Sequence, residues 1–485
     1  MNEDLSALGN LATPTGAMTG AMGMADIQAL RKALEAGYGT DVAGLTGGAA
    51  LRVQSLDSTL QATLADNDHF ALFNALPKPD AAATVDEWTE ATDQGGFPGS
   101  TTNTETGSIG VGTGTYARRT GLIKYLMTQC QVSFIQTLQN TIAESEAVEN
   151  QMGTLRLLRD AEYLMFEGDS AVVPTEFDGI AAQLIGLGSS DHVLDAEANA
   201  LGSINLIAKG AATIAGAGNW GKPTDLFLSM QTQADFDIGL DPAFRVPLAD
   251  VPMGGIQIGA PVVGIRTSQG KINTRPDVFI RDPDATVPFE VTYAAVAAAN
   301  SALVCASVPT GVTASDTASK FGAAHAGNYY YAVAGVTKAG QSAVSKSAAI
   351  AVASGEKVTL TITASSGGTE TGYVIYRSRK NGTNDTSDFR EVARVAKAGA
   401  TTSWVDYNRQ IPGTTRAYLL NLAPAYSAIT WRKLLPLTRF ALYPTTAAVV
   451  PWALMLFGYL RISKRRQHVM IKNILPSSAT WRPFG

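Results

Sequence analysis

The spacing of apolar and polar positions divides the chain into regions of different period. From Gln131 to Phe166, apolar residues fall at Phe134, Ile135, Leu138, Ile142, Met152, Leu155, Leu158, Ala161 and Leu164. That is a stripe at helical spacing. Glu144, Glu146, Glu149, Arg156 and Arg159 sit mostly off it. The pattern predicts one long helix over 131–167, about nine turns and on the order of 50 Å. Gly153 is its weak position and a candidate bend. Ahead of it, YARRTGLIKYLMTQCQVS (116–133) has the alternation of a strand, and TDQGGFPGSTTNTETGSIGVGTGT (92–115) is a Gly/Thr/Ser stretch. So long a connection is uncommon inside a compact domain. Together they predict a two-stranded excursion over 92–130 that projects from the body.

Residues 171–305 alternate short helices and strands. Asp195 to Ile214 is Ala-rich and helical; DLFLSM (225–230) reads as a strand and MQTQADFDIGL as a helix after it; GIQIGAPVVGIRTSQG (255–270) and DVFI (277–280) read as strands. This is an α+β pattern. Over 306–412 the helical period vanishes. PTGVTAS, NYYYAVAGVT, SAAIAVA, KVTLTITAS, GYVIYRS, EVARVAK and TSWVDYN are short β-type runs between Gly, Asn, Asp and Ser turns. They predict a β-sandwich of about a hundred residues, with Trp404 and Tyr373 or Tyr376 in its core. WALMLFGYLRI, from Trp452, reads as a buried strand. At the other end, LATPTGAMTGAMGM belongs to a small-residue arm over 1–24, followed by a short helix from Asp26 to Ala36.

Composition sharpens this picture. The chain has 485 residues, enough for two or three domains, and is 45% apolar but only 16% charged. Ordinary domains are about a quarter charged, so part of this surface is expected to be covered. The apolar content excludes a disordered tail protein, and the formal charge of −5 excludes a basic nucleic-acid binder. Charge is also uneven. Met1–Gly107 holds fourteen acids against four bases, and after Asp406 there are eleven bases and no acid. One reading of that asymmetry is that the basic end of one copy meets the acidic end of another; nucleic acid or a membrane surface is the other.

Candidate chemistry is thin. Cys130 and Cys305 are too far apart for a metal knuckle or a disulfide framework, and His69, His192, His325 and His468 read as lone surface or partly buried residues. Gly110, Gly112 and Gly114 give no phosphate loop. Ser354 and Lys357 form an SxxK pattern at an expected solvated turn, and Gly168-Asp169-Ser170 follows a helix rather than a strand. Asp86 and Glu87 read as ordinary solvated acids. The sequons at Asn381 and Asn384 read as a polar loop. The run from Ala441 to Leu460 is uncharged but broken by Pro444 and Pro451, which argues against a membrane span. The N-terminus MNEDLSALGN does not read as a signal peptide, so folding in a reducing cytoplasm is expected. No catalytic, cofactor-binding or metal-ligating residue is assigned.

The order of elements (acidic arm, Gly/Thr-rich excursion, one very long helix, α+β region, closing β-rich tail) resembles the major capsid protein of tailed bacteriophages, the Hong Kong 97-type fold. KAGQS (338–342) and GYVIYRS (372–378) in the insert resemble immunoglobulin-like or fibronectin type III domains. The capsid resemblance implies an N-terminal arm over 1–91, an E-loop over 92–130, a spine helix over 131–170, and axial and peripheral regions over 171–305 and 413–485. The sandwich would be an insert over 306–412, displayed on the outer surface. It implies self-assembly into hexamers and pentamers of an icosahedral head around double-stranded DNA. Portal and scaffolding or decoration proteins would be its partners, and the virion its location. It implies no enzyme activity and no cofactor. Two other classes remain on the sequence alone: a bacterial surface or adhesion protein with a fibronectin-like module and a C-terminal membrane anchor, and a cytoplasmic enzyme with an accessory sandwich.

Some members of that family crosslink an excursion lysine to a neighbour. Here no lysine lies between Lys78 and Lys124. Denaturing, reducing gels of assembled material are therefore expected to show the monomer alone; a covalent ladder above it would overturn this.

Overall fold

The computed structural model describes residues 69–138, 145–201, 204–239, 264–280, 304–305, 307–444 and 447–485. The arm over 1–24 and the helix read from Asp26 lie outside the described residues. A short helix α1 (Ala71–Ala75) precedes an antiparallel hairpin of β1 (Val85–Asp93) and β2 (Thr115–Leu122). Then come β3 (Lys124–Ser133), α2 (Phe134–Leu138), α3 (Ser145–Glu167), α4 (Ile180–Ile185), β4 (Val193–Asp195), α5 (Ile204–Ala215), β5 (Asp225–Leu228), α6 (Met230–Gly239), β6 (Gly264–Thr267) and β7 (Gly270–Pro276).

The strand read over 116–133 is thus two strands. β2 belongs to the hairpin and β3 to a three-stranded antiparallel sheet. The chain changes sheet at Ile123, which is buried in the main core. The long helix also begins later than its stripe suggests, because 131–133 complete β3. Over 23 residues, α3 spans about 35 Å. DVFI is a turn after β7 rather than a strand.

All seven β-type runs of the insert contain strands: β8 (Thr310–Ser315), β9 (Gly327–Tyr329), β10 (Tyr331–Thr337), β11 (Gly340–Gln341), β12 (Ser345–Lys346), β13 (Ile350–Val352), β14 (Glu356–Thr363), β15 (Gly372–Arg377), β16 (Arg390–Ala396) and β17 (Thr401–Asp406). Most of them form one sheet ordered β17-β14-β8 and another ordered β11-β10-β15-β16, with β12 pairing β10, while β9 and β13 pair as a separate two-stranded ribbon. Between these sheets lie Val358, Leu360 and Ile362 of β14 and Tyr331, Val333, Tyr373 and Ile375 of β10 and β15, all in one buried cluster. Tyr376 is buried on the opposite face of its sheet, with Phe389. Trp404 is partly buried against the inner cluster.

The chain closes with β18 (Thr415–Leu420), β19 (Ile429–Ala441), β20 (Val449–Ile462) and β21 (Val469–Ile474). β18 and β21 join β4 to β7 in a six-stranded mixed sheet, order β4-β21-β18-β5-β7-β6. The apolar run once weighed as a membrane span is largely β20, hydrogen-bonded to β19 on one side and β3 on the other. No described helix is long and apolar enough to cross a membrane.

Helix α3 holds the body together. Its buried line is Gly153, Leu157, Ala161 and Met165, every fourth residue, and it shares only Ala161 with the stripe read from the sequence. Gly153 lies on that line for a steric reason. A Cβ at Gly153 would collide with the Cys130 sulfur and lie 2.8 Å from Leu454 Cδ1. Only a glycine lets the helix settle this closely onto β3 and β20. The helix runs unbroken through Gly153, which serves close approach rather than a bend. Farther along, Leu157, Ala161 and Met165 pack with Trp431, Leu456 and Leu460, and the Phe166 ring lies 5.3 Å from Tyr418 of the six-stranded sheet.

One buried side chain on α3 is an acid. Glu162 has no exposure, and its oxygens accept the backbone N–H groups of Leu72 (2.7 Å) and Phe73 (2.9 Å) at the start of α1. Burial, then the neighbouring Asp277 carboxyl, pushes its pKa far above the usual carboxylate range.

Gly153→Ala should destabilise the chain by about 1–3 kcal/mol through overpacking. Adding Cys130→Ala should recover much of that loss, because it removes the colliding sulfur. Thermal denaturation of the two variants beside the parent measures both effects.

Candidate interaction surface

The three-stranded sheet has one covered and one open face. On the covered side, Cys130, Val132, Trp452 and Leu454 form a buried cluster next to α3. On the other, the register aligns Phe457 with Tyr125 and Leu435, Met455 with Met127 and Thr438, and Ala453 with Gln129 and Phe440. None of these nine side chains is charged. Tyr125 is 51% exposed, Met127 60% and Phe440 55%. At the far end of the same sheet, Phe134, Ile135 and Leu138 of α2 are all exposed. Contiguous apolar surface of this kind marks contact with another molecule.

The hairpin is the second open feature. Among the described strands β1 and β2 pair only with each other, and nine residues of strand reach about 30 Å. Two strands alone are marginal in water. The tip adds Phe97, Ile109 and Val111, with Ile109 and Val111 each 90% exposed. Its hydrogen bonds are local: Phe97 N–H to Ser100 Oγ (3.3 Å), Thr102 Oγ1 to Gly99 O (2.8 Å), Asn103 Nδ2 to Ser108 O (2.9 Å).

The hairpin's root corrects the reading of Asp86. It is not a solvated acid: only 11% of its side chain is exposed, and its carboxylate accepts Tyr459 Oη (2.6 Å), Arg432 Nε (3.1 Å), Arg432 Nη2 (3.3 Å) and Arg461 Nη1 (3.1 Å). Burial opposes its charge, but these donors outweigh burial and hold its pKa below the usual carboxylate value. Gly121, opposite Asp86 in the hairpin, leaves room for the Tyr459 ring; a Cβ there would strike it. Glu87, the next residue, does pair at the surface, with Arg118.

The same contacts meet part of the charge asymmetry within one chain, through Asp86 of the acidic first segment. Bases of the acid-free tail meet acids of their own chain: Arg432 and Arg461 meet Asp86, Arg439 meets Glu146, and Arg416 meets Glu167 at 2.7 Å. Segments far apart in sequence and opposite in charge are neighbours because β19 and β20 run beside the hairpin root.

The two-sheet unit is seated on the body by the C-terminal residues. Trp481 Nε1 donates to Asp388 Oδ1 (3.0 Å) beneath the Arg390 guanidinium, Lys380 N–H donates to Pro483 O (2.8 Å), and Phe484 stacks on His325 at 4.0 Å. On another side a groove of about 400 Å³ separates unit and body, lined by Glu167, Glu391, Arg409 and Arg416. Within it Arg416 pairs with Glu167, and Glu391 pairs with Arg394 beside it.

Lys357 pairs with Asp316 at 2.9 Å, while Ser354 stands exposed on the turn before it. Asp169 Oδ1 accepts the Ala171 N–H in a turn after α3. Cys130 and Cys305 are buried free thiols. Two histidines differ from expectation: His192 and His468 are fully buried and adjacent, with His192 Nδ1 3.0 Å from His468 O. Burial drives the His468 pKa down to about 3, so this ring is neutral. Among the described residues, no group of three potential metal ligands exists.

No family model matches the chain, and neither does any curated protein. Among solved structures it is similar to the SrpI encapsulin of Synechococcus elongatus, at 9% identity over 89% of this chain and 96% of that one, TM-score 0.40. It is similar to the capsid of a native GTA particle, at 10% identity over 90% and 98%, TM-score 0.47. A chain of Gordonia phage Cozz aligns at 8% identity over 95% and 98%, TM-score 0.42. At these scores the likeness does not identify the chain, and its own surfaces carry the reading that follows.

Replacing 94–114 by a two-residue Asn-Gly turn should leave the stability of the body within about 0.5 kcal/mol of the parent, because the tip's bonds are local. Chemical denaturation checks this; a loss of several kcal/mol would show that the tip supports the fold.

Proposed function

We propose that this chain is a shell subunit, the major capsid protein of a tailed bacteriophage, which self-assembles into hexamers and pentamers of an icosahedral head around double-stranded DNA. The observation that carries the reading is the pairing of an uncharged, open sheet face with a hairpin that has no core of its own. Each leaves apolar surface in water when the chain is alone, and each gains cover when copies lie side by side. Head-to-tail contacts of this kind close into rings when the rotation between copies closes.

In this reading the hairpin is the E-loop, laid over the next copy, and α3 is the spine helix. Residues 171–305 and 413–485 build the axial and peripheral regions. The two-sheet unit over 306–412 is an immunoglobulin-like insert on the outer surface, which is in keeping with its separate core and its polar loop at 379–390. The partners are other copies of the chain, portal and scaffolding or decoration proteins, and packaged DNA held without sequence preference on the inner face. The protein acts in the virion after assembly in the host cytoplasm, as structure rather than catalyst.

The full chain expressed alone should give rings or shells of megadalton size by gel filtration and negative-stain microscopy. Met127→Lys combined with Phe440→Lys should keep stability within about 0.5 kcal/mol of the parent, since both side chains are exposed, yet abolish those particles. A parent that stays monomeric, or a doubly charged variant that assembles like the parent, would overturn the proposal.

A further inference from the structure

Asp86 is the one carboxylate, among the described residues, that pairs with either Arg432 or Arg461. Three elements converge on it: β1 carries the acid, β19 brings Arg432, and β20 brings Tyr459 and Arg461. β2 presents only Gly121 at that level. Arg461 also lies over the Trp88 ring, 5.4 Å from its centre, so the guanidinium grips β1 at two points. Two repeats of the pleat farther out, Glu90 faces Arg119 at 3.3 Å and Arg465 at 4.0 Å. Beyond that, among the described residues, the tip is held by local bonds alone.

We propose that Asp86 is an electrostatic latch: its carboxylate clamps the root of the hairpin between Arg432 and Arg461, and removing that charge, by protonation or substitution, releases the hairpin from the body.

The physical basis is an asymmetry between the two states. With the carboxylate present, two guanidinium groups share one anion and four hydrogen bonds to charged groups close the root. Without it, Arg432 and Arg461 face the same point with no counter-charge, and a partly buried like-charge pair is driven apart. A two-stranded hairpin cut loose from its root has too little cover to stay ordered. The latch therefore sets the angle at which the excursion leaves the body. It is a property of the single chain and stands whether or not copies assemble.

The pH sign follows from the geometry. A carboxyl held below its ordinary value contributes stability above that value and loses it as pH falls through the folded-state pKa. Release by acid is thus expected below the ordinary carboxylate range, with Glu90, Arg119 and Arg465 as the nearest other charges.

Asp86→Asn in the full chain at neutral pH tests the latch by hydrogen exchange. Amides of Val85–Asp93 and Thr115–Leu122 should exchange about tenfold faster or more, the scale of one lost charged hydrogen bond. Amides of β18 and β21 should be unchanged. Trypsin should cut at Arg118 or Arg119 in the variant, Asp86→Glu should restore part of the protection, and Glu87→Gln should have no effect. Three results would each overturn the proposal: hairpin exchange within twofold of the parent, an equal effect from Glu87→Gln, or an equal loss of protection in β18 and β21. The last would make Asp86 a general stability residue.

Discussion

A sheet has two faces, and this chain covers one face of its three-stranded sheet with a single helix. Everything else in the body is arranged around that inequality. α3 sits close because Gly153 admits the Cys130 sulfur and Leu454, and closeness makes the covered face dry enough to bury Trp452 and Leu454. The opposite face receives none of the described helices. It is furnished with Tyr125, Met127 and Phe440, side chains that contribute favourably only when something lies over them. The hairpin poses the same problem in extended form.

The charged groups solve a different problem, that of orientation. A chain with few charges uses them in fixed places. Asp86, Glu146 and Glu167 each meet an arginine from the C-terminal strands. These contacts tie the hairpin root, the long helix and the closing sheet into one frame. Inside the two-sheet unit the same device is fully buried: Arg377 pairs with Asp406 and Asn408, and Tyr331 donates to Asp406 at 2.9 Å. Buried pairs of this sort contribute little net stability, because desolvation offsets attraction. Breaking one leaves a bare charge, so they select one arrangement over its competitors.

The two-sheet unit and the body meet through short contacts rather than a shared core. Trp481 and Phe484 hold one side and paired charges line the groove on the other. Such a boundary lets the unit vary in its loops without disturbing the body, provided its own core and the C-terminal contacts are kept.

Local pattern was enough to find most elements. Period-two runs located the strands of the insert, because alternation is fixed by the pleat whatever the partner strand is. The apolar run at Trp452 marked a buried strand because it is short, apolar and bounded by Pro451. The stripe on α3 indicated a helix but not its buried line, which shares only Ala161 with it and includes Gly153 because of a close contact with a strand. The unbroken alternation over 116–133 hid a change of sheet at Ile123, since a strand's own sequence does not record which neighbour it pairs with. Asp86 looked like any exposed acid because its partners lie more than 340 residues away. The sequence by itself determined the class of most elements and the shortage of charge. The tertiary structure alone decided which face stays open and which acids meet which bases, because both depend on contacts between segments whose spacing along the chain carries no period.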